Sequence, residues 1–120
     1  MQIRTIIIRM NHTREIILKR LLLTLLLVPL AAHATDYMLT IKDHRFQPAD
    51  LTVPSGTKIK LRVENQDATP EEFESYTLNR EKVIAGHSTV TIFIGPLEPG
   101  RYPFFGEFNA TTAQGAIIAQ

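Results

Sequence analysis

Apolar and polar residues alternate along much of the chain after residue 35. Ile59, Leu61 and Val63 alternate with charged residues, and the segment 88–94 has apolar residues at positions 90, 92 and 94. Successive side chains of a β-strand point to opposite faces, so this pattern predicts strands with one buried and one solvated face. No segment after residue 35 has a convincing helical period.

Further strands are predicted between turn-forming residues such as Pro54-Ser55-Gly56 and Pro99-Gly100. We expect these strands at 37–42, 46–53, 72–78, 101–105 and 115–119. About seven short strands at this spacing predict an all-β fold, an antiparallel β-sandwich with Greek-key connections. Tyr102, which follows the Pro99-Gly100 turn, predicts a tyrosine corner.

Strand direction predicts which loops lie together. Successive strands of an antiparallel sandwich run in alternate directions, so four segments are expected at one end of the fold: 43–45, 65–72, 85–87 and 106–114. Both histidines after residue 35, and most of the clustered carboxylates, fall in these segments.

The first 34 residues are typical of a cleavable secretory signal peptide. Basic residues precede the apolar run at 21–30, and Ala32-His33-Ala34 supplies the small-x-small pattern of a cleavage site. The run is shorter than the roughly 20 residues of a membrane-spanning helix. We therefore expect residues 35–120 to be one exported, periplasmic domain that does not span the membrane after cleavage, with the true start at Met1 or Met10.

Charge and cysteine content exclude several functions. Residues 35–120 carry 8 basic and 11 acidic residues, a net charge of −3, whereas residues 1–34 carry 5 basic and 1 acidic, a net charge of +4. The expected mature domain therefore has no basic surface for nucleic acid. The chain contains no cysteine, so disulfides and thiolate chemistry are absent.

Five phrases distributed over residues 46–115 resemble a cupredoxin domain: Phe46-x-Pro48, Leu51-Thr52-Val53-Pro54-x-Gly56, Asn65-x-Asp67-x-x-Pro70, Pro99-Gly100-x-Tyr102-x-Phe104 and Gly115. Within that group, ATPEEFES (68–75), LNREKVI (78–84) and GEFNATTAQG (106–115) look like the EfeO-type cupredoxin-like domain. The resemblance implies periplasmic handling of iron or copper. It also implies two partners, a high-affinity inner-membrane iron permease and a Dyp-type peroxidase.

The copper ligands of that resemblance are mostly replaced here. Glu71 matches the first histidine ligand, Gly106 the cysteine and Asn109 the second histidine, while Gln114 comes nearest to the axial methionine. A blue-copper centre needs a thiolate, so the resemblance implies the fold without blue-copper electron transfer.

Carboxylates are hard oxygen donors, suited to Fe(III), Mn or Ca more than to Cu(I). The candidate metal ligands are Glu71, Glu72, Glu74 and Glu107. If Phe73 points into the core, Glu71 shares its side and the other two glutamates of the run face outward. We predict a site of Glu71 with Glu107, and a second, more exposed position at Glu72 or Glu74.

Other candidate ligands lie in the converging loops. His44 or Asn109 is expected beside the Glu71 position, and His44 with His87 and a carboxylate would suit Cu(II). His87 is interpreted as a surface residue. The alternative for the glutamates is that they are solvated loop charges or groups that cap the backbone.

The sequence has no nucleophile with an adjacent base and no glycine-rich phosphate loop, so we do not expect an enzyme. Two hypotheses follow. The first is a metal-binding protein that binds or delivers iron, or copper, as its ion. The second is a metal-free module that docks on an iron permease or a peroxidase.

Overall fold

Nine β-strands and one short 3₁₀ turn make up the regular structure in the computed structural model, which describes Pro29 and residues 34–120. The predicted signal peptide lies almost wholly outside the described residues. The strands are β1 (Thr35–Lys42), β2 (Arg45–Gln47), β3 (Asp50–Val53), β4 (Ile59–Asn65), β5 (Glu71–Ser75), β6 (Arg80–Ile84), β7 (Ser88–Ile94), β8 (Gly100–Gly106) and β9 (Gln114–Ala119). The turn η1 (Glu107–Asn109) follows β8.

The strands form two sheets that pack face to face. The four-stranded sheet has the order β2-β1-β4-β7, and the five-stranded sheet has the order β3-β9-β8-β5-β6. The predicted all-β sandwich is confirmed. Both sheets are mixed rather than purely antiparallel, because β1 pairs with β4, and β3 with β9, in parallel. After β2 the chain crosses to the five-stranded sheet and forms β3. It then returns to the four-stranded sheet as β4, which lies beside β1 and runs in the same direction.

Two strand predictions differ from the structure. The predicted strand at 46–53 is two short strands in different sheets, separated at Pro48, which has no amide hydrogen to donate to a ladder. Strand β6 was not predicted. Four of its five residues are exposed, so its sequence lacks the alternation of a strand with one buried face.

The core consists of the apolar residues that alternation assigned to the inner faces. Ile59, Leu61 and Val63 are each 0% exposed. The rings of Phe46 and Phe104 pack edge to face with centroids 4.9 Å apart, and Phe73 lies 5.1 Å from Phe104. The predicted tyrosine corner is confirmed, because the Tyr102 hydroxyl donates to the Glu98 carbonyl at 2.8 Å.

The four loops predicted to converge do meet at one end of the sandwich. The Asp67 carboxylate accepts from the backbone N–H groups of Asp43 at 2.8 Å and His44 at 3.0 Å. The His87 N–H donates to the Asp67 carbonyl at 2.9 Å, and the Thr112 hydroxyl donates to the His44 carbonyl at 2.7 Å. Hydrogen bonds therefore join all four segments at the end where the candidate ligands lie.

Candidate functional site

Strand β5 divides its three glutamates between the two faces of the sheet. Glu71 points inward with Phe73, and these side chains are 1% and 0% exposed. Glu72 and Glu74 point outward and are half-buried. The faces predicted from alternation are thus confirmed, and two chemically different environments arise from neighbouring residues of one strand.

The Glu71 carboxylate is surrounded by protein donors. Its Oε1 accepts from the backbone N–H of Glu72 at 2.9 Å and from that of Phe108 at 2.9 Å. Its Oε2 accepts from the Asn109 side-chain amide at 2.8 Å. A buried charge is tolerated when hydrogen bonds replace its hydration, and here three donors do so.

Gly106 lies against this buried carboxylate. A Cβ at position 106 would stand 2.6 Å from the Glu71 Cδ and 2.7 Å from the Ala113 Cβ. Side-chain atoms do not approach so closely without displacement, so residue 106 has to be glycine while Glu71 is in place. The Glu71 carboxylate and the position matched to a cysteine ligand therefore compete for the same space.

The outward glutamates meet Glu107 rather than Glu71. Carboxylate oxygens of Glu72, Glu74 and Glu107 all lie within 4.8 Å of one another. The pairing of β5 with β8 explains this, because Phe73 stands opposite Gly106, the last residue of β8, and Glu107 directly follows Gly106. Glu81 stands opposite Glu74 on β6 and completes what we call the carboxylate cluster: Glu72, Glu74, Glu81 and Glu107.

The carboxylate cluster has strongly interacting charges. A hydrogen bond with Glu81 raises the pKa of Glu72 to about 7, and desolvation and the charges of Glu81, Glu107 and Glu74 act in the same direction. Desolvation, followed by the charges of Glu81 and Glu107, raises the pKa of Glu74. Like charges this close oppose full ionisation, so the pKa values of Glu72 and Glu74 lie above that of an isolated glutamate.

No lysine or arginine neutralises these carboxylates in the part of the chain that the structure describes. The ion pairs there are Lys60 with Asp36, Arg101 with Asp50, and His44 with Asp67. The nearby Arg80 instead donates to the backbone carbonyls of Phe93 at 2.8 Å and Asn79 at 2.9 Å. The cluster therefore presents uncompensated negative charge.

His44 lies with Asp67, apart from the carboxylate cluster. Its Nδ1 is 3.6 Å from an Asp67 carboxylate oxygen, and its side chain is 47% exposed. The backbone hydrogen bond from His44 is the main cause that lowers the pKa of Asp67, and it outweighs the opposing effect of desolvation. His44 and His87 each have a left-handed backbone, with φ of 56° and 54°.

Two residues that matter here were not singled out from the sequence. Asp67 joins the converging loops, and the Asn65-x-Asp67 phrase was a signal that could have identified it. Glu81 joins the carboxylate cluster through the β5–β6 hairpin, whose register could not be predicted because β6 itself was not predicted.

Two surface cavities lie over the five-stranded sheet. The larger, about 520 Å³, is lined by residues of β3, β8 and β9 and includes the Asp50–Arg101 pair but none of the clustered carboxylates. The smaller, about 280 Å³, borders the cluster and is lined by Glu74, Tyr76, Arg80 and Glu81 among others. The smaller cavity is more relevant to cation chemistry because two of the clustered carboxylates, Glu74 and Glu81, line it.

Copper ligation at the matched positions does not fit these residues. Glu71 and Asn109 are hydrogen-bonded to each other, and Gly106 offers no donor atom and has no room for one. The Gln114 side-chain amide donates to the Ala110 carbonyl at 2.8 Å. With no cysteine in the chain, the soft thiolate that defines a blue-copper centre is missing as well.

Comparison with solved structures shows the same fold in a copper protein and in a purple cupredoxin. Auracyanin A, described as a "blue" copper protein from Chloroflexus aurantiacus, superposes with a TM-score of 0.62 at 13% identity over 73% of this chain and 100% of its own. A purple cupredoxin from Nitrosopumilus maritimus gives a TM-score of 0.55 at 17% identity over 71% of this chain and 100% of its own. Identities this low show the fold alone.

Sequence comparison defines the family. An uncharacterized protein of Rickettsia prowazekii (strain Madrid E) is 51% identical over 83 residues, which are 69% of this chain and 66% of that protein, just under two thirds of its length. In the part of the chain that the structure describes, no helix has the length and apolar character needed to cross a bilayer. The family model described as "Cupredoxin-like domain" matches residues 15–119, and the chain belongs to that family.

Proposed function

We propose that this chain is an exported cupredoxin-like protein that binds a hard metal cation, iron in the first place, at the carboxylate cluster of Glu72, Glu74, Glu81 and Glu107. The proposed role is binding or delivery of the ion rather than catalysis. The observation that carries it is the group of three carboxylates whose oxygens lie within 4.8 Å of one another without a basic partner among the described residues.

The charge state of the cluster supports cation binding. A cation would replace the proton that the hydrogen bond with Glu81 and the neighbouring charges retain on Glu72, because a cation interacts with several carboxylates at once. Oxygen-only donor sets favour iron, manganese or calcium over Cu(I). Cu(II) is the second candidate ion, since His44 and His87 lie at the same end of the fold.

The wider setting rests on the resemblance to EfeO-type domains. Residues 1–34 would direct export to the periplasm, and residues 35–120 would pass iron to an inner-membrane iron permease or act beside a Dyp-type peroxidase. These partners belong to the proposal, as does the location. The negative charge of residues 35–120 supports a role in concentrating cations.

Calorimetric titration tests the proposal. Residues 35–120 would be titrated with Fe²⁺ without oxygen, and with Cu²⁺ in a separate series, at pH 7.5. We expect Fe²⁺ to bind more tightly than about 1 mM, which corresponds to about 4 kcal/mol. Glu72→Gln with Glu107→Gln should weaken binding at least tenfold.

A matched control for that titration is Glu98→Gln, which removes one exposed charge before β8, at the end of the strand away from the cluster. It should leave the affinity within twofold of that of the original chain. Absence of Fe²⁺ and Cu²⁺ binding tighter than about 1 mM would contradict the proposal.

A second candidate function is a metal-free docking module. Two exposed aromatic residues favour it, because Tyr76 is 78% and Phe108 50% exposed and both adjoin the carboxylate cluster in sequence. Aromatic residues are enriched at protein interfaces. The double variant Glu72→Gln, Glu107→Gln separates the two functions when it is titrated with Fe²⁺ and with the purified peroxidase. If the cluster is a metal site, the affinity for Fe²⁺ falls. If it is a docking surface without metal, only the affinity for the peroxidase falls.

A further inference from the structure

One oxygen of the buried Glu71 carboxylate holds two backbone segments together. Oε1 accepts from the Glu72 N–H and from the Phe108 N–H, both at 2.9 Å. Glu72 belongs to the carboxylate cluster, and Phe108 directly follows its member Glu107. The same atom therefore links the strand that carries one clustered carboxylate to the turn that carries another.

The turn η1 has little else to hold it. It contains no buried residue, and Gly106 at its start provides no side-chain cap. Towards the loop that follows, the Asn109 carbonyl accepts from the backbone N–H groups of Ala113 at 2.8 Å and Thr112 at 3.2 Å and from the Thr112 hydroxyl at 3.4 Å. Towards β5, the hydrogen bonds of η1 are those that Glu71 accepts, the first of them from the Phe108 N–H. The second attachment is the Asn109 amide, which donates to Oε2 at 2.8 Å.

We infer that Glu71 is a positioning residue rather than a metal ligand: its carboxylate ties η1 to β5 and so holds the Glu107 side chain opposite Glu72. Glu71, at the position matched to a histidine ligand of copper, thereby forms hydrogen bonds that join two segments of the protein, β5 and η1. This role concerns the arrangement of the protein itself and does not depend on cation binding.

The hydrogen-bond pattern explains why a carboxylate is retained in the core. Burial of an acidic group without donors is costly, yet among the described residues no buried side-chain nitrogen or oxygen lacks a partner. Glu71 supplies acceptors to two backbone donors and one side-chain amide. An apolar residue at position 71 could not do this, whatever its shape.

A disulfide between two clustered positions tests the inference without metal. The chain has no other cysteine, so Glu72→Cys with Glu107→Cys introduces a single pair at positions whose carboxylate oxygens lie within 4.8 Å of each other. The equilibrium constant for closing this disulfide against glutathione measures how well the two positions are held together. This equilibrium constant would be measured in the double-cysteine protein with Glu71 and in the same protein carrying Glu71→Ala.

We expect Glu71→Ala to lower that equilibrium constant at least fivefold, about what the loss of one net hydrogen bond amounts to. Asn109→Ala, which removes the Oε2 contact alone, should lower it about threefold. Glu98→Ala, which lies at the other end of β8, should change it less than twofold. Amide hydrogen exchange at Phe108 should accelerate in the first two variants and not in the third.

If Glu71→Ala does not fold, the milder Asn109→Ala variant decides the question. A change below twofold in a folded variant that lacks the Glu71 or Asn109 contact, with unaltered exchange at Phe108, would overturn the inference. Failure of the Fe²⁺ titration would overturn the proposed function and leave this result untouched, because the disulfide replaces two of the proposed ligands.

Discussion

Glu71 and Glu72 are neighbours in one strand, yet their carboxylates are in opposite circumstances. Glu71 is buried and accepts three hydrogen bonds from protein donors. Glu72 faces outward among Glu74, Glu81 and Glu107, and the hydrogen bond with Glu81 raises its pKa to about 7. Glu71 is thus satisfied by hydrogen-bond donors of the protein, whereas Glu72 faces other carboxylates.

The comparison separates two tasks at one end of the sandwich. The inner carboxylate stabilises the loop that follows β8, and the outer carboxylates are crowded and free of basic partners among the described residues. In a site that stabilises the protein, the polar groups already have partners within the protein. In a binding site, some polar groups lack such partners and interact with the ligand instead. On this basis the outer face is the better candidate for binding.

The largest expected effect comes from breaking the inner network. Glu71→Ala removes the acceptor to which two backbone N–H groups and the Asn109 amide donate, and should lower the free energy of unfolding by about 3 kcal/mol. The outer control, Glu72→Ala, removes a crowded negative charge and so should not lower the free energy of unfolding. Urea denaturation of both variants at pH 7.5 measures the difference, and equal effects would remove the distinction between the two faces.

An intermediate effect is expected from crowding the inner carboxylate. Gly106→Ala places a Cβ 2.6 Å from the Glu71 Cδ and should lower the free energy of unfolding by about 1–3 kcal/mol. Gly100→Ala is the matched control in the same strand, because its nearest neighbour would be a Tyr102 carbon at 3.7 Å. Similar losses in these two variants would show that crowding against Glu71 is not the cause.

The smallest effect is a pH dependence of the outer face. The pKa of Glu72 is raised from 4.5 to about 7, so between these values the folded state binds more protons than the unfolded state. The contribution of this group to stability is therefore fully present below about pH 4.5 and is lost as the pH rises through about 7.

Urea denaturation of metal-free protein between pH 4.5 and 8 measures this dependence. Glu72→Gln removes the titrating group, so its free energy of unfolding should fall less steeply with rising pH than that of the original chain. If the free energy of unfolding depended on pH equally in the original chain and in Glu72→Gln, Glu72 would not be the source of the pH dependence. Glu98→Gln serves again as the control and should leave the profile unchanged.

The sandwich could be predicted because alternation records which side of a strand is buried, as Ile59, Leu61 and Val63 do in β4. Strand β6 could not, since four of its five residues are exposed and no apolar face marks them. The parallel pairs of β1 with β4 and β3 with β9 were also missed, because periodicity contains no information about the partner of a strand.

The candidate site was predicted in part for the same reason. The alternation around Phe73 correctly assigned Glu71 to the inner face and Glu72 and Glu74 to the outer face. It could not show that Glu107 groups with the outer pair, because that depends on the register between β5 and β8. Asn109 was expected beside Glu71 and does donate to it, whereas the two backbone donors are brought there by the fold, which no residue pattern identifies.

Anomalous diffraction from crystals of residues 35–120 soaked in an iron salt tests the central claim most directly. We predict an iron peak among the carboxylates of Glu72, Glu74 and Glu107, with the hydrogen bonds of Glu71 to Phe108 and Asn109 intact. A peak coordinated by Glu71 and Asn109, or no iron at the carboxylate cluster at millimolar concentrations, would contradict the account.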